Sequence, residues 1–384
     1  MARFVARRCA QMGVLFVVFL SLLFVLMNAQ PGSISDQYIG DPNIPPEARQ
    51  MIAERLGLDR PLPERYAAYM RNFFTGNLGV SFSEYPRPVL DILAERFPRT
   101  LFLFLSATLL AYWVGFRAGK LLVWRRGKTA EHTVNVVGIV LGTVFEPWFY
   151  LMMIYLFSFM LGWFPAGRLI ENALWFDAGF SVNQVFLRLL LTTGVAGAAV
   201  AAVLTAACAV GQPRARSALR GGGVALAGGG LLAYWLASPM RPYAADLVWH
   251  AILPVTCLTL VAFGGVMLLM RSSMLETLRE DYIFTARAKG LPERVIRDRH
   301  AARNAMLPIV TSLVFSLAGV LGGGIIVESV FSWPGMGQAL LEAVVLEDIP
   351  LAVGALGLLG ALALVAHLVV DILYTYLDPR MRVR

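Results

Sequence analysis

Residues 351–376 read LAVGALGLLGALALVAHLVVDILYTY, with no Asp, Glu, Lys or Arg before Asp371. About 20 predominantly apolar residues suffice for a helix to cross the hydrocarbon of a bilayer. The apolar side chains here do not fall on one stripe, as they would on the surface helix of a soluble protein; they surround the axis. A helix greasy on every face needs lipid or the centre of a large bundle around it.

The same pattern recurs along the chain, at Met12–Ala29, Leu101–Phe116 (continuing toward Val123), Val134–Leu161, Val185–Val210, Val224–Met240, His250–Met270 and Leu307–Phe331. With Leu351–Tyr376 the simplest count is eight spans. Composition agrees: 58% of the 384 residues are hydrophobic and 15% charged, against about half and about a quarter in soluble domains. The expected fold class is an all-α polytopic transmembrane bundle of about eight spans, with an external polar segment after the first. Val224–Met240 is the weakest span, short and interrupted by Gly228, Gly229 and Gly230, and a re-entrant or surface segment is the alternative there. The first run follows Arg3, Arg7 and Arg8 like a signal peptide, but it exceeds the usual apolar length, and Asn28-Ala29-Gln30-Pro31-Gly32 is a poor cleavage site. It reads as a retained helix.

Positive charge stays on the cytoplasmic side of short loops. With the amino terminus inside, the basic stretches Arg117–Lys128, Arg214–Arg220, Arg271–Arg303 and Arg380–Arg384 all become cytoplasmic, and the connections after Leu161 and Met240 carry little besides Arg168 and Arg241. Both termini of this multi-pass chain are then cytoplasmic. The expected organisation is a first helix at 1–30, an external segment at 31–98 and a membrane domain at 99–384. That domain holds a cytoplasmic loop at 271–307. Within the external segment, Pro45–Leu56 reads as a capped amphipathic helix, with Pro46 and Glu47 at its start.

Topology alone accounts for the net charge of +8, so no nucleic-acid partner is expected. Cys9, Cys208 and Cys257 lie in or beside apolar runs without C-x-x-C pairing, and His132, His250, His300 and His367 are scattered, so neither a disulfide framework nor a metal site is indicated. No cofactor is implied. Arg125-Arg126-Gly127-Lys128-Thr129 imitates the end of a phosphate loop, but Leu122 stands where a glycine is required. Neither H-E-x-x-H nor G-x-S-x-G occurs. Catalytic residues are therefore not assigned, and the chain reads as a non-enzyme.

One polar island stands out. From Arg271 the sequence runs RSSMLETLREDYIFTARAKGLPERVIRDRHAARNAMLPIV. Glu276–Leu291 can form one or two short helices, ended by Gly290 and Pro292. Small residues, a glycine break and a later proline give a helix-turn-helix elbow between two spans, of a kind that fits a groove in another protein.

These residues resemble the cytoplasmic EAA-type loop of ATP-binding-cassette importer permeases, in the dipeptide/oligopeptide/nickel branch. The branch reads close to DYxxTARAKGL followed by H-x-x-RNA-x-x-P, and here Asp281, Tyr282, Thr285, Ala286, Arg287, Ala288, Lys289, Gly290, Leu291, His300, Arg303, Asn304, Ala305 and Pro308 match. GGGIIVESVFSWPGMGQALLEAVVLEDIP adds Gly323, Gly324, Glu328, Phe331, Pro334, Gly335, Gly337, Asp348 and Pro350; DILYTYLDPRMR adds Asp371, Tyr374, Leu377, Asp378, Pro379 and Arg380. LGLDRPLPERY, GNLGVSF and RFPRTLFL extend the likeness to the amino-terminal half. The chain departs from the branch in its Arg168–Val248 insertion, beyond the usual six spans, and in PGSISDQ where PGDP is usual.

The resemblance implies the first permease of a pair, in a bacterial or archaeal cell (inner) membrane. Its partners would be a second permease, two cytoplasmic ATPases and an external binding protein, and residues Asp281–Leu291 would couple the ATPases to the pathway. Substrate-binding residues remain unassigned, with peptides, nickel chelates, sugars and opines open. A secondary transporter or channel is the alternative; Glu146, beside Pro147, is the main acid within an apolar run. Gly322–Gly324 reads as close helix packing rather than a hinge. Glu328 and Asp348 read as solvated loop anions, with contact to a binding protein as the sharper alternative. For topology, Tyr38→Cys is expected to be labelled by an impermeant reagent from outside and Ser217→Cys from inside; external labelling at 217 would remove the eight-span arrangement.

Overall fold

The computed structural model describes residues 2–29, 61–124, 127–209 and 212–377. The expected helix at Pro45–Leu56, position 38, and Asp378, Pro379 and Arg380 lie outside them. Regular structure among the described residues is helical, apart from an isolated bridge between Val80 and Pro88. The helices used below are α1 (Ala2–Asn28), α2 (Leu62–Phe74), α3 (Val89–Trp124), α4 (Thr129–Thr143), α5 (Glu146–Ile154), α6 (Val182–Ala209), α7 (Pro213–Ala237), α8 (Arg241–Thr277), α9 (Asp281–Ala288), α10 (Ala302–Val320), α11 (Ile325–Val330), α12 (Met336–Val345) and α13 (Ile349–Leu377).

Among the described residues, six helical stretches are long and apolar enough to cross a membrane, and α4 with the helix after it makes a seventh if that broken pair is one span. The remaining expected span, Val224–Met240, does form a helix, the 25-residue α7, but it is not among those six. Its glycines at 221–223 and 228–230 dilute the apolar surface.

Two runs expected as single spans are broken. Val134–Leu161 divides at Val144 and Phe145, whose backbones are extended. Pro147 sits in the first turn of α5; a proline there cannot donate to the carbonyl four residues earlier and its ring clashes with it, so the helix has to restart. Leu307–Phe331 stops as a helix at Val320 and resumes at Ile325. Gly323 between them takes φ +65, a conformation costly for any residue with a Cβ.

The chain forms two compact units. The first comprises Met1–Val144, Leu258–Ser329 and Gly335–Arg384. In it α1 lies along α13, where Arg8 meets Asp371 at 3.4 Å. The start of α3 packs through Val89, Ile92 and Leu93 on Met336 and Ala343 of α12 and on Leu351 and Ala355 of α13. Farther along α3, a Cβ on Gly119 would lie 2.6 Å from the Met267 carbonyl oxygen, so α3 and α8 approach backbone to backbone. α4 and α8 touch in the same way at Gly138 and Gly264. Lipid tails are as apolar as leucine, so close packing rather than water exclusion holds such helices together.

The second unit comprises Phe145–Cys257 and Val330–Pro334. In it α6 and α7 form a helical hairpin, with Gly223 against Val203 and the Trp235 indole N–H donating to Thr192 Oγ1 at 3.1 Å. Asp246 fastens the chain before the hairpin: its Oδ2 accepts from the Glu171 N–H at 3.0 Å and from the Trp175 indole N–H at 2.8 Å.

Gly264→Ala is expected to destabilise the purified protein by about 1–3 kcal/mol, the usual cost of overpacking, because its Cβ overlaps the Gly138 carbonyl. Gly265→Ala has open space around it and is expected to be neutral. Equal thermal stability of the two variants in detergent would refute this close crossing.

Candidate functional site

The elbow expected at 271–307 is present and belongs to the first unit. α8 ends at Thr277, and α9 begins at Asp281, whose carboxylate suits a helix amino terminus. Ile283 and Ala286, one turn apart, face inward and are buried. They join Met270 and Met274 of α8, Ile296, and Ala301, Ala302 and Ala305 at the start of α10 in one cluster. The alanines let these helices approach closely. Helical hydrogen bonding fails after Ala288; Gly290 takes φ +71, and the Leu291 N–H returns to the Ala286 carbonyl at 3.3 Å. The chain resumes at Glu293 and passes through six residues of wider, π-type helix, Ile296–Ala301, into α10.

Polar contacts bolt the elbow to its surroundings. Asn304 Nδ2 donates to the Tyr282 hydroxyl at 2.7 Å, and the Ser273 hydroxyl donates to the Ala305 carbonyl at 3.0 Å. Asp298, in the π-type segment, meets Lys120 of α3 at 3.1 Å. At the base of the elbow, Arg271 Nη2 reaches the buried Glu131 at 2.5 Å, and the Gly127 N–H donates to the other carboxylate oxygen at 2.7 Å.

The expected coupling residues therefore separate into two groups. Asp281, Tyr282, Thr285, Arg287, Ala288, Lys289 and Gly290 are exposed, whereas Ala286 is buried and Leu291 packs partly on the same cluster. Two residues were missed by motif reading. Ile283 anchors the inner face, and Phe284 is 75% exposed on the outer one. Helical spacing could have found Ile283, which precedes Ala286 by one turn; the exposure of Phe284 follows from the same spacing.

At the other end of α3 the expectation for the two acids is overturned. Glu328 and Asp348 are both fully buried. The Thr100 hydroxyl donates to Glu328 Oε1 at 2.7 Å and itself accepts from the Met336 N–H at 2.7 Å, while the Gln338 N–H donates to Glu328 Oε2 at 2.9 Å. Burial pushes the Glu328 carboxyl above the ordinary glutamate range, opposed by the Thr100 hydroxyl and the N–H groups of Gln338 and Gly337. Asp348 Oδ2 accepts from the hydroxyls of Ser81 and Ser83 at 2.5 and 2.7 Å and from the N–H groups of Phe82 and Ser83 at 2.9 and 3.0 Å. Its Oδ1 caps α13 through the Leu351 N–H at 3.1 Å. The acids are structural acceptors for loop backbone that helices leave unpaired. The glycines beside them are likewise explained by close approach: a Cβ on Gly324 would press on Phe104 at 2.6 Å and one on Gly335 on Glu328 at 2.5 Å. No three His, Cys, Asp or Glu side chains gather as a metal site among the described residues.

Residues 107–383 match the family described as binding-protein-dependent transport system inner membrane component, and residues 1–104 match its amino-terminal membrane component. The chain belongs to this family. It is similar to the di/tripeptide transport system permease protein DppB of Pseudomonas aeruginosa, with 32% identity over 384 residues covering 100% of this chain and 99% of that protein. The dipeptide transport system permease protein DppB of Escherichia coli K12 is 30% identical with the same coverage. The oligopeptide transport system permease protein AppB of Bacillus subtilis is 26% identical over 99% of each chain.

The permease's elbow offers a clean test of its turn. A Cβ at Gly290 would meet no atom within 4 Å, so Gly290→Val carries only the cost of a left-handed backbone, about 1–2 kcal/mol. Gly290→Asn, which tolerates that region, is expected to retain most of the stability of the elbow, measured by proteolysis between 277 and 293. Equal protection of the Val and Asn variants would show that the turn does not depend on this φ.

Proposed function

We propose that this permease pairs with a second permease, two cytoplasmic ATPases and an extracytoplasmic binding protein, and that together they import peptides or similar small solutes. The names of the relatives support the peptide reading, since the similar proteins from Pseudomonas aeruginosa, Escherichia coli and Bacillus subtilis are di/tripeptide, dipeptide and oligopeptide permeases. ATP hydrolysis belongs to the partner subunits. Both termini and the elbow lie in the cytoplasm, in keeping with the basic residues of Arg271–Arg303.

One observation carries the coupling assignment. The inner face of α9 is committed to its own chain, while its outer face leaves a bulky aromatic, Phe284, 75% exposed between charged neighbours. An aromatic anchor rimmed by polar groups is the usual form of a binding hot spot. Seated in an ATPase groove, α9 transmits motion as a lever because Tyr282 ties it to Asn304 of α10, while Ser273 of α8 bonds the Ala305 carbonyl and Lys120 of α3 pairs with Asp298 just before α10. Movement between inward- and outward-open states is then a rigid-body change. Shifting such a pair of states from 1:99 to 99:1 takes about 5.5 kcal/mol, supplied jointly by ATP and loaded binding protein.

Phe284→Ala removes the anchor without touching the buried cluster. Loss of an aromatic hot spot costs about 2–4 kcal/mol of binding, so ATPase co-purification is expected to fall at least tenfold while membrane insertion is unchanged. Normal co-purification and normal substrate-stimulated hydrolysis would remove the coupling role of α9. Uptake by the purified chain without ATPases would instead point to a self-sufficient transporter.

A further inference from the structure

From Thr133 to Leu161 the only charged side chain is Glu146, with thirteen residues of that stretch before it and fifteen after. A carboxylate this deep in an apolar run is costly against lipid and is found facing protein or water. Glu146 is nevertheless exposed on the chain, as are its neighbours Phe145 and Trp148, 72% and 55% exposed. The backbone adds to the cost. The first helical bond of α5 is made by the Phe149 N–H to the Phe145 carbonyl at 3.1 Å. The N–H groups of Glu146 and Trp148 thus precede it, and Pro147 has none. Non-helical backbone at membrane depth is tolerated where it lines a water-filled cavity or lies against protein.

The carboxylate is also positioned. The hydroxyl of Tyr150 donates to Glu146 Oε2 at 2.9 Å. The Tyr150 side chain is fully buried and its ring packs on Phe331 with centroids 6.0 Å apart, so the donor is fixed. Oε1 has no hydrogen-bond partner among the described residues. An acceptor-only group with one oxygen held and one open, and with the exposed aromatic side chains of Phe145 and Trp148 close in sequence, suits a cation.

We propose that Glu146 lines the translocation pathway and forms a subsite for a protonated amine of the transported solute. This rests on reading the chain as a pathway-forming permease. Oε1 accepts from the ammonium group, the neighbouring Phe145 and Trp148 supply exposed aromatic surface, and Tyr150 positions the carboxylate. The subsite favours solutes with a free amino group, which includes peptides, over N-acylated ones.

The test uses the complete transporter in membranes, with Cys9, Cys208 and Cys257 replaced by serine and Phe145→Cys as reporter beside the carboxylate. The probes are a cationic and an anionic methanethiosulfonate of similar size. A focused negative site raises local cation concentration about tenfold or more, so the cationic reagent is expected to react at least ten times faster. Glu146→Gln, which still accepts from Tyr150, is expected to bring the ratio close to one, and Glu146→Asp to retain it. A reporter inert to both aqueous reagents, or a ratio unchanged by Glu146→Gln, would overturn the proposal. Uptake of dialanine is measured on the same preparations with Phe145 restored, and Glu146→Gln is expected to lower it at least tenfold; unaltered uptake also overturns the subsite. Should the unmodified transporter show no ATP-dependent uptake of any peptide while the labelling ratio holds, the peptide reading fails and the cation subsite stands.

Discussion

Between Val320 and Ile349 the chain leaves helical geometry repeatedly, and each departure strands backbone groups that need a partner wherever they are buried. Two carboxylates meet that need. Glu328 gathers Thr100, Gln338 and, through Thr100, Met336, while Asp348 gathers residues 81–83 and the first turn of α13. Their cost is desolvation, and their several donors per acid offset it. The placement of α3 against α12 and α13 depends on this polar clasp as much as on the apolar cluster around Val89 and Leu351.

The same helix links the clasp to the elbow. Thr100 lies near the start of α3 and Lys120 near its end, the one bonded to Glu328 and the other to Asp298. Tyr112, between them, shares hydrogen bonds of 2.7 Å with Ser312 and Ser316 of α10. Tyr282 of α9 bonds Asn304 at the start of α10, so α9 joins this line through a single hydrogen bond. The proposed amine subsite belongs to the second unit, where Tyr150 and Phe331 fix the position of Glu146.

Much of this architecture was legible in the sequence because membrane spans announce themselves by length and apolarity, signals that survive without tertiary context. The elbow was legible for a different reason: Gly290 and Pro292 fall together in a polar stretch, where little packing offsets their cost to a helix, and the surrounding motif is long. The interruptions were harder to read. Val144–Phe145 and Leu321–Gly324 sit inside apolar runs, and hydropathy does not distinguish a continuous helix from a broken one. Pro147 and Gly323 were the available signals for those breaks. Glu328 and Asp348 were misjudged because an acid at the outer end of a span or beyond it looks solvated until the donors around it are known, and those donors come from residues up to 267 positions away in sequence. Ala286 carried the family motif but faces inward, since a motif records identity at a position and not direction.

Where α4 and α8 cross, Gly264 lies directly against the Gly138 carbonyl, and the Met267 side chain of α8 reaches over Gly138. Helices whose side chains interdigitate as ridges and grooves can rotate only by jumping between registers. At the two glycines the nearest tooth is Met267, an unbranched side chain that can change rotamer, so the contact acts as a bearing with one yielding stop. Even a single methyl group there would turn that bearing into a ratchet.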